Sequence, residues 1–289
     1  MASFTILTDS SADLPVSLID EFDIRVIPLS FFVEGKKYFN FPNGSDISFE
    51  DFYAALAAGK LVTTSAINQD QFLTAMESEL IMGKDILYLG FSSGLSGTYS
   101  SATVAAKELA EKYPNRKIFT VDTLAASLGQ GLLVYLCCKE RDKGKTVEEV
   151  AEYAEKHKLR VAHWFTVDDL YHLKRGGRIS GATAVAGSLL NIKPILHMDN
   201  EGHLINMSKA RGRNASIKAL FDKIEQTARK PEKQTFFISH GNCEDDAKKL
   251  AAMITEKYGC NCVINMIGPV IGAHAGQGTL AVFFIADER

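Results

Sequence analysis

Asp85-Ile-Leu-Tyr-Leu-Gly-Phe-Ser-Ser-Gly-Leu-Ser-Gly-Thr-Tyr-Ser-Ser101 is the stretch on which the fold is decided. An apolar run ends at Gly90, a Ser/Gly loop follows, and a helix is expected to begin near Thr98. That is the strand–loop–helix unit of an α/β sheet. In such sheets ligands bind at the carboxyl ends of strands, where helix starts present free amides to anions. The hydroxyls of Ser92, Ser93 and Ser96 add donors, which suits a carboxylate or phosphate oxygen. The same serines could simply cap the helix.

Outward from this unit the rhythm repeats. Strand-like runs over 4–8, 25–32 and 117–121 are each followed by turn residues and helical periods. Thr146-Val-Glu-Glu149 reads as a capping box opening a helix to about Lys158. The pattern then restarts, with strands over 160–167, 194–198, 235–240, 263–267 and 280–285. Helices are expected over 168–174, around 182–190, from Asn214 and over 244–258. Asp199-Asn-Glu-Gly202 makes a turn that returns the chain over 203–208 as a hairpin. Strands bounded by helices imply βαβ units. The fold class expected is two α/β domains with largely parallel sheets, spanning 1–158 and 159–289, with the ligand buried between them.

The 289 residues suit about two domains at roughly 150 residues each. With 46% hydrophobic and 23% charged residues, the chain has the balance of a globular protein with a sizeable core. Its net charge of −3 leaves no overall field to hold a polyanion, so nucleic acid is not an expected partner. A strand starts almost at once, without the basic and apolar regions of a signal peptide. The longest apolar stretch, Leu132 to Cys138, is far shorter than the roughly 18 residues that span a bilayer. The five cysteines, Cys137, Cys138, Cys243, Cys260 and Cys262, include no C-x-x-C pair. Reduced thiols in a cytoplasmic protein without stable membrane insertion are expected. No H-E-x-x-H, metal-spaced carboxylates or redox motif argues for a metal or cofactor.

Other segments could carry chemistry. Gly90-Phe-Ser92-Ser-Gly94 matches the G-x-S-x-G nucleophile elbow of serine hydrolases, with Ser92 as nucleophile. Asp199, Asp245 and His274 could be drafted as its partners, but nothing marks them as a set. Thr63-Thr64-Ser65 precedes a helix whose Phe72, Met76 and Leu80 share a face. As a second hydroxyl-rich helix start it could converge with the Ser/Gly loop on one small anion. Lys174-Arg175-Gly-Gly-Arg178 could meet phosphate or an acidic partner, and Lys209, Arg211 and Arg213 form a second basic stripe. In Gly268-Pro-Val-Ile-Gly-Ala-His274-Ala-Gly-Gln-Gly-Thr279, the glycines could let backbone approach a ligand closely. Phe31, Phe32, Phe39 and Phe41 could cover a greasy ligand, with core packing as the plainer reading.

Together, and in this order, the motifs resemble the DegV family of bacterial fatty-acid-binding proteins. The resemblance spans essentially the whole chain. It includes Thr8-Asp9-Ser10-Ser11-Ala12-Asp13-Leu14-Pro15, Thr63-Thr64-Ser65, Ser92 through Tyr99, Val121-Asp122-Thr123, Leu173 through Ile179, and Gly268 through Gly278. It implies a non-enzymatic carrier that buries one long-chain fatty acid such as palmitate, stearate or oleate. Thr64 and Ser96 would hold the carboxylate, Ser65 and Ser93 would stand next to them, and His274 and Arg211 would support the network. Some members present the acid to a fatty acid kinase, which makes an acyl-phosphate for phospholipid synthesis. Lys174, Arg175 and Arg178 would then face that partner or its phosphate.

Overall fold

A computed structural model describes residues 4–179 and 191–289. The helix expected around 182–190 lies outside them. The chain opens with β1 (Phe4–Asp9), α1 (Val16–Glu21) and β2 (Arg25–Ile27). Every residue of β1 is buried, as in a strand covered on both faces. Beyond β2 come β3 (Ser30–Val33) and β4 (Lys36–Phe39), so the expected strand over 25–32 is two strands in different sheets. Pro28 separates them: it has no amide to give a ladder. The next residue, Leu29, donates its amide to Ser10 Oγ at 2.9 Å instead. Glu34 and Gly35 both take positive φ, the requirement of a two-residue type I′ hairpin turn between β3 and β4.

The chain continues through α2 (Phe49–Ala57), β5 (Val62–Ser65), α3 (Gln69–Ile81), β6 (Asp85–Gly90), α4 (Thr98–Lys112), β7 (Ile118–Asp122), α5 (Leu128–Asp142) and α6 (Val147–His157). β2-β1-β6-β7 form an all-parallel sheet. β5 corrects the expectation for Thr63-Thr64-Ser65. These residues do not start a helix but pair antiparallel with β3, Phe31 opposite Thr64. β-Branched threonines favour that pleated surface, and α3 is instead opened by the Asn68/Gln71 capping box. The capping box at Thr146 and Glu149 does open α6.

The second half comprises β8 (Val161–Thr166), α7 (Tyr171–Arg175), β9 (Ile192–Met198), β10 (Leu204–Arg211), α8 (Arg213–Thr227), β11 (Phe236–His240), α9 (Glu244–Tyr258), β12 (Cys262–Met266), α10 (Pro269–Ala275) and β13 (Leu280–Ile285). Its six-stranded sheet runs β10-β9-β8-β13-β11-β12. The α/β class holds, but the largely parallel character belongs to the first sheet alone. In the second sheet only β11 and β12 pair in parallel, across the α9 crossover; the other pairings are antiparallel. The short turn after β9 forces a hairpin, and β13 arrives last to insert between β8 and β11.

α5 is packed between the two larger sheets. Its Leu128, Leu132 and Leu133 share a core with Phe4 and Leu87 of one sheet and Phe237 and Phe283 of the other. A second core joins β3 and β5 to α2, α3 and α4 around Phe31, Phe52 and Phe72. A third lies under α8 and α9 on the far face of the six-stranded sheet. All five cysteines are unpaired. No helix among the described residues is long and apolar enough to cross a membrane.

Candidate functional site

A cavity of about 180 Å³ is lined from both halves of the chain. Its wall is mostly apolar, with Phe91, Leu95, Phe165, Met198, Ile271 and Phe283 among its residues. Against this wall stand a few polar side chains: Thr64 and Ser65 at the end of β5, Ser96 just before α4, His274 on α10, and Arg178.

Thr64 and His274 meet directly, Oγ1 to Nε2 at 2.8 Å. Burial lowers the His274 pKa to about 4, and the nearby Arg178 and Arg175 guanidiniums push it the same way. The ring is therefore neutral at neutral pH and carries one proton. Among the described residues its buried Nδ1 has no partner. An orphaned acceptor is tolerated better than an orphaned N–H, so the proton belongs on Nε2, donated to Thr64 Oγ1. The Thr64 hydroxyl hydrogen is then free to point into the cavity. Ser96 Oγ accepts from the Thr98 amide at 3.2 Å and lies 2.9 Å from Thr98 Oγ1. It thus lines the cavity while held to the first residue of α4.

The glycine-rich motifs place these groups. Gly176 leaves the space that the His274 imidazole fills, since a Cβ there would collide with Nδ1. A Cβ at Gly272 would stand 2.8 Å from Tyr53 Oη and 2.9 Å from the Phe52 ring. The Gly272 position therefore serves close docking of α10 on α2, not approach of backbone to a ligand. Tyr53 Oη also donates to Ile267 O at 3.0 Å, just ahead of α10. Arg178 Nε donates to Leu95 O at 3.3 Å, and its guanidinium bonds Gly176 O, fastening this segment to the serine loop.

Two expected site residues lie elsewhere. Ser93 is exposed outside the cavity wall, its amide given to Asp122 Oδ1 at 3.2 Å. It is the serine on the outer side of a tight turn. Arg211 is exposed at the end of β10, opposite Ile192 on β9, and does not line the cavity either. Lys174 and Arg175 are exposed on α7, with the Arg175 guanidinium 5.5 Å above the Tyr171 ring. None of Phe31, Phe32, Phe39 and Phe41 lines the cavity; Phe31 is fully buried against Phe52.

Ser92 is fully buried and donates to Gly202 O at 2.8 Å. The residues drafted as its partners are engaged elsewhere or exposed. Asp199 accepts the Glu201 and His203 amides, His274 faces Thr64, and Asp245 lies exposed on α9. The G-x-S-x-G turn therefore presents no nucleophile.

The motif at 8–15 proves to be the scaffold of the site, a role that its residue types alone did not reveal. Asp9 accepts from Tyr88 Oη at 2.7 Å and from the Phe91 amide at 3.0 Å, so it holds the start of the serine loop. Asp13 Oδ1 accepts from the Gly268 amide at 2.9 Å, at the entry to α10, and its Oδ2 lies 2.6 Å from Ser127 Oγ. Ser127 and Thr279 also line the cavity and were missed, each resembling an ordinary turn hydroxyl in sequence. His163, likewise missed, gives its Nδ1 proton to Val161 O at 2.8 Å, and burial holds its pKa far below the usual histidine range. No cluster of three or more His, Cys, Asp or Glu side chains suited to a metal occurs among the described residues.

Residues 3–287 match the family described as "Uncharacterised protein, DegV family". A DegV domain-containing protein of Clostridium perfringens is 46% identical, covering 100% of this chain and 99% of that protein. Among solved structures, a DegV family protein from Thermus thermophilus described by its fatty acid binding is 30% identical. It superposes with a TM-score of 0.87 over 98% of this chain and 99% of its own. DegV from Bacillus subtilis, described as a fatty acid binding protein, is 29% identical with a TM-score of 0.85 over 99% and 100% of the two chains. The protein belongs to the DegV family.

Proposed function

We propose that this chain binds one long-chain fatty acid, with the acyl chain in the apolar cavity and the carboxylate at Thr64, Ser96 and Arg178. The observation that carries the reading is the Thr64–His274 pair set in a mostly apolar wall. A carboxylate leaving water needs several donors. The Thr64 and Ser96 hydroxyls and the Arg178 guanidinium supply them, with Ser65 beside them. Burying about 15 methylenes of a sixteen-carbon acid gains roughly 12 kcal/mol gross, at about 0.8 kcal/mol each. Part of that is spent on ordering the ligand. The described relatives with fatty acid binding in their names support the same ligand class.

In this reading the protein is a carrier and not an enzyme, and a partner kinase performs the chemistry on the presented carboxylate. Exposed Lys174 and Arg175, next to the cavity residue Arg178, would face that partner or its phosphate. The division into 1–158 and 159–289 makes the cavity an interdomain one, and five unpaired thiols suit the cytoplasm. Titrating delipidated Thr64→Val protein with palmitate tests the head group. Loss of a hydrogen bond to a charged group predicts a Kd higher by about tenfold to a hundredfold. An unchanged Kd would remove Thr64 from the site.

A further inference from the structure

The second surface of interest lies away from the cavity, where the C-terminal half of α5 faces the connection between α8 and β11. There an open groove of about 400 Å³ is walled by Lys139 and Lys143 on one side and Arg229, Lys230 and Lys233 on the other. Its floor is formed by Leu132, Leu136, Tyr135 and Ile285. The lining holds five cations and one carboxylate, Glu140, which is already bonded to Lys143 and Lys145. Arg229 pairs with Asp287 at 3.3 Å. Lys139, Lys230 and Lys233 have no carboxylate within 4 Å among the described residues. Lys139 Nζ donates to Tyr135 Oη at 3.2 Å. Lys230 stands on a backbone with φ of 47°, a conformation that costs a lysine energy and that displays it at the start of a short turn.

This is a concentrated positive field on a chain whose net charge is −3. We propose that the groove docks an acidic amphipathic helix of a partner protein, with its apolar face on the floor and its carboxylates against the unpaired lysines. The shape favours this occupant over a lipid surface. Leu132, Leu136 and Ile285 are recessed, not exposed, so nothing projects to enter a bilayer. A helix laid in a groove reaches such a floor while its flanking acids meet the rim. The proposal is independent of which ligand fills the cavity.

The probe is a fluorescein-labelled helical peptide of about 18 residues, with leucines on one face and glutamates elsewhere. Its binding is followed by anisotropy with the full-length protein. Saturable, salt-sensitive binding is expected. The combined Lys139→Glu, Lys230→Glu and Lys233→Glu variant should weaken it by about tenfold or more. The neutral Lys→Gln set should weaken it less but in the same direction, and both sets should keep the melting temperature because all three side chains are exposed. A control reversal of the exposed Lys36, Lys60 and Lys107 should leave binding unchanged. The proposal is overturned by absence of saturable binding, by equal loss in the control, or by equal affinity for a peptide of the same composition with scattered leucines. Lysine-dependent binding of phosphatidylglycerol vesicles without peptide binding would overturn it in favour of a membrane.

Discussion

Thr64, Ser96 and His274 come from three elements distant in sequence, and the contact that joins two of them is the 2.8 Å Thr64–His274 bond. Its value depends on a neutral imidazole, which burial and two neighbouring arginines secure. Gly176 is as much a part of the arrangement as the histidine. Its φ of −74° is open to any residue, so Gly176→Ala adds only the Cβ that collides with the ring. Palmitate affinity is expected to fall by about tenfold or more as the imidazole shifts, the price in mispositioning of one methyl group. An unshifted affinity by titration calorimetry would show that the ring relaxes freely. The family resemblance implied Thr64, Ser96 and His274 for the head group and its network, and all three line the cavity. It ranked Ser96 ahead of Ser93; the residue types alone could not, because which serine of a turn faces inward is set by backbone that only tertiary contacts fix. Arg211 shows the same limit, since the strand end that carries it faces solvent.

Among elements, α10 carries the histidine and depends on two close approaches. At Gly272 an added Cβ meets Tyr53 and Phe52, both fully buried and unable to give way. Gly272→Ala should cost about 1–3 kcal/mol, as overpacking does, read as a lower urea midpoint. It should also weaken ligand binding, because His274 rides on the same helix. By contrast, Thr146→Ala should cost about 1 kcal/mol through loss of the α6 cap and leave ligand binding unchanged. Helices such as 244–258 and strands such as 85–90 were legible because their periodicity is local. Residues 62–65 were not: hydroxyl residues before a helix suit a cap or a strand equally, and pairing with β3 decided it.

At the scale of the molecule, Asp13 ties the opening segment to the entry of α10 and, through Ser127, to Ser239 on β11. Burial raises its pKa to about 8 from an ordinary value of 3.8. Between those values the folded chain keeps a proton that the unfolded chain has released. Its stabilising effect is therefore complete below about pH 4 and is lost as pH rises through about 8. Asp13→Asn keeps the acceptor for Gly268 and offers Ser127 a donor, as the protonated acid does. The variant should thus gain melting temperature relative to the unmodified protein between pH 5 and 9; a constant difference would contradict a protonated Asp13. The strand order of the larger sheet was the least legible feature. β13 closes the described chain yet sits at the centre of that sheet, and no local period records such an insertion.

The most direct test of the whole account is to purify the protein from cells, denature it, and analyse the organic extract by mass spectrometry. A near-stoichiometric saturated or unsaturated acid of about 14–18 carbons is expected from the apolar cavity and its hydroxyl-lined head. An empty extract, together with no thermal shift on adding palmitate or oleate, would contradict the carrier reading and leave the Thr64–His274 pair to a different anion.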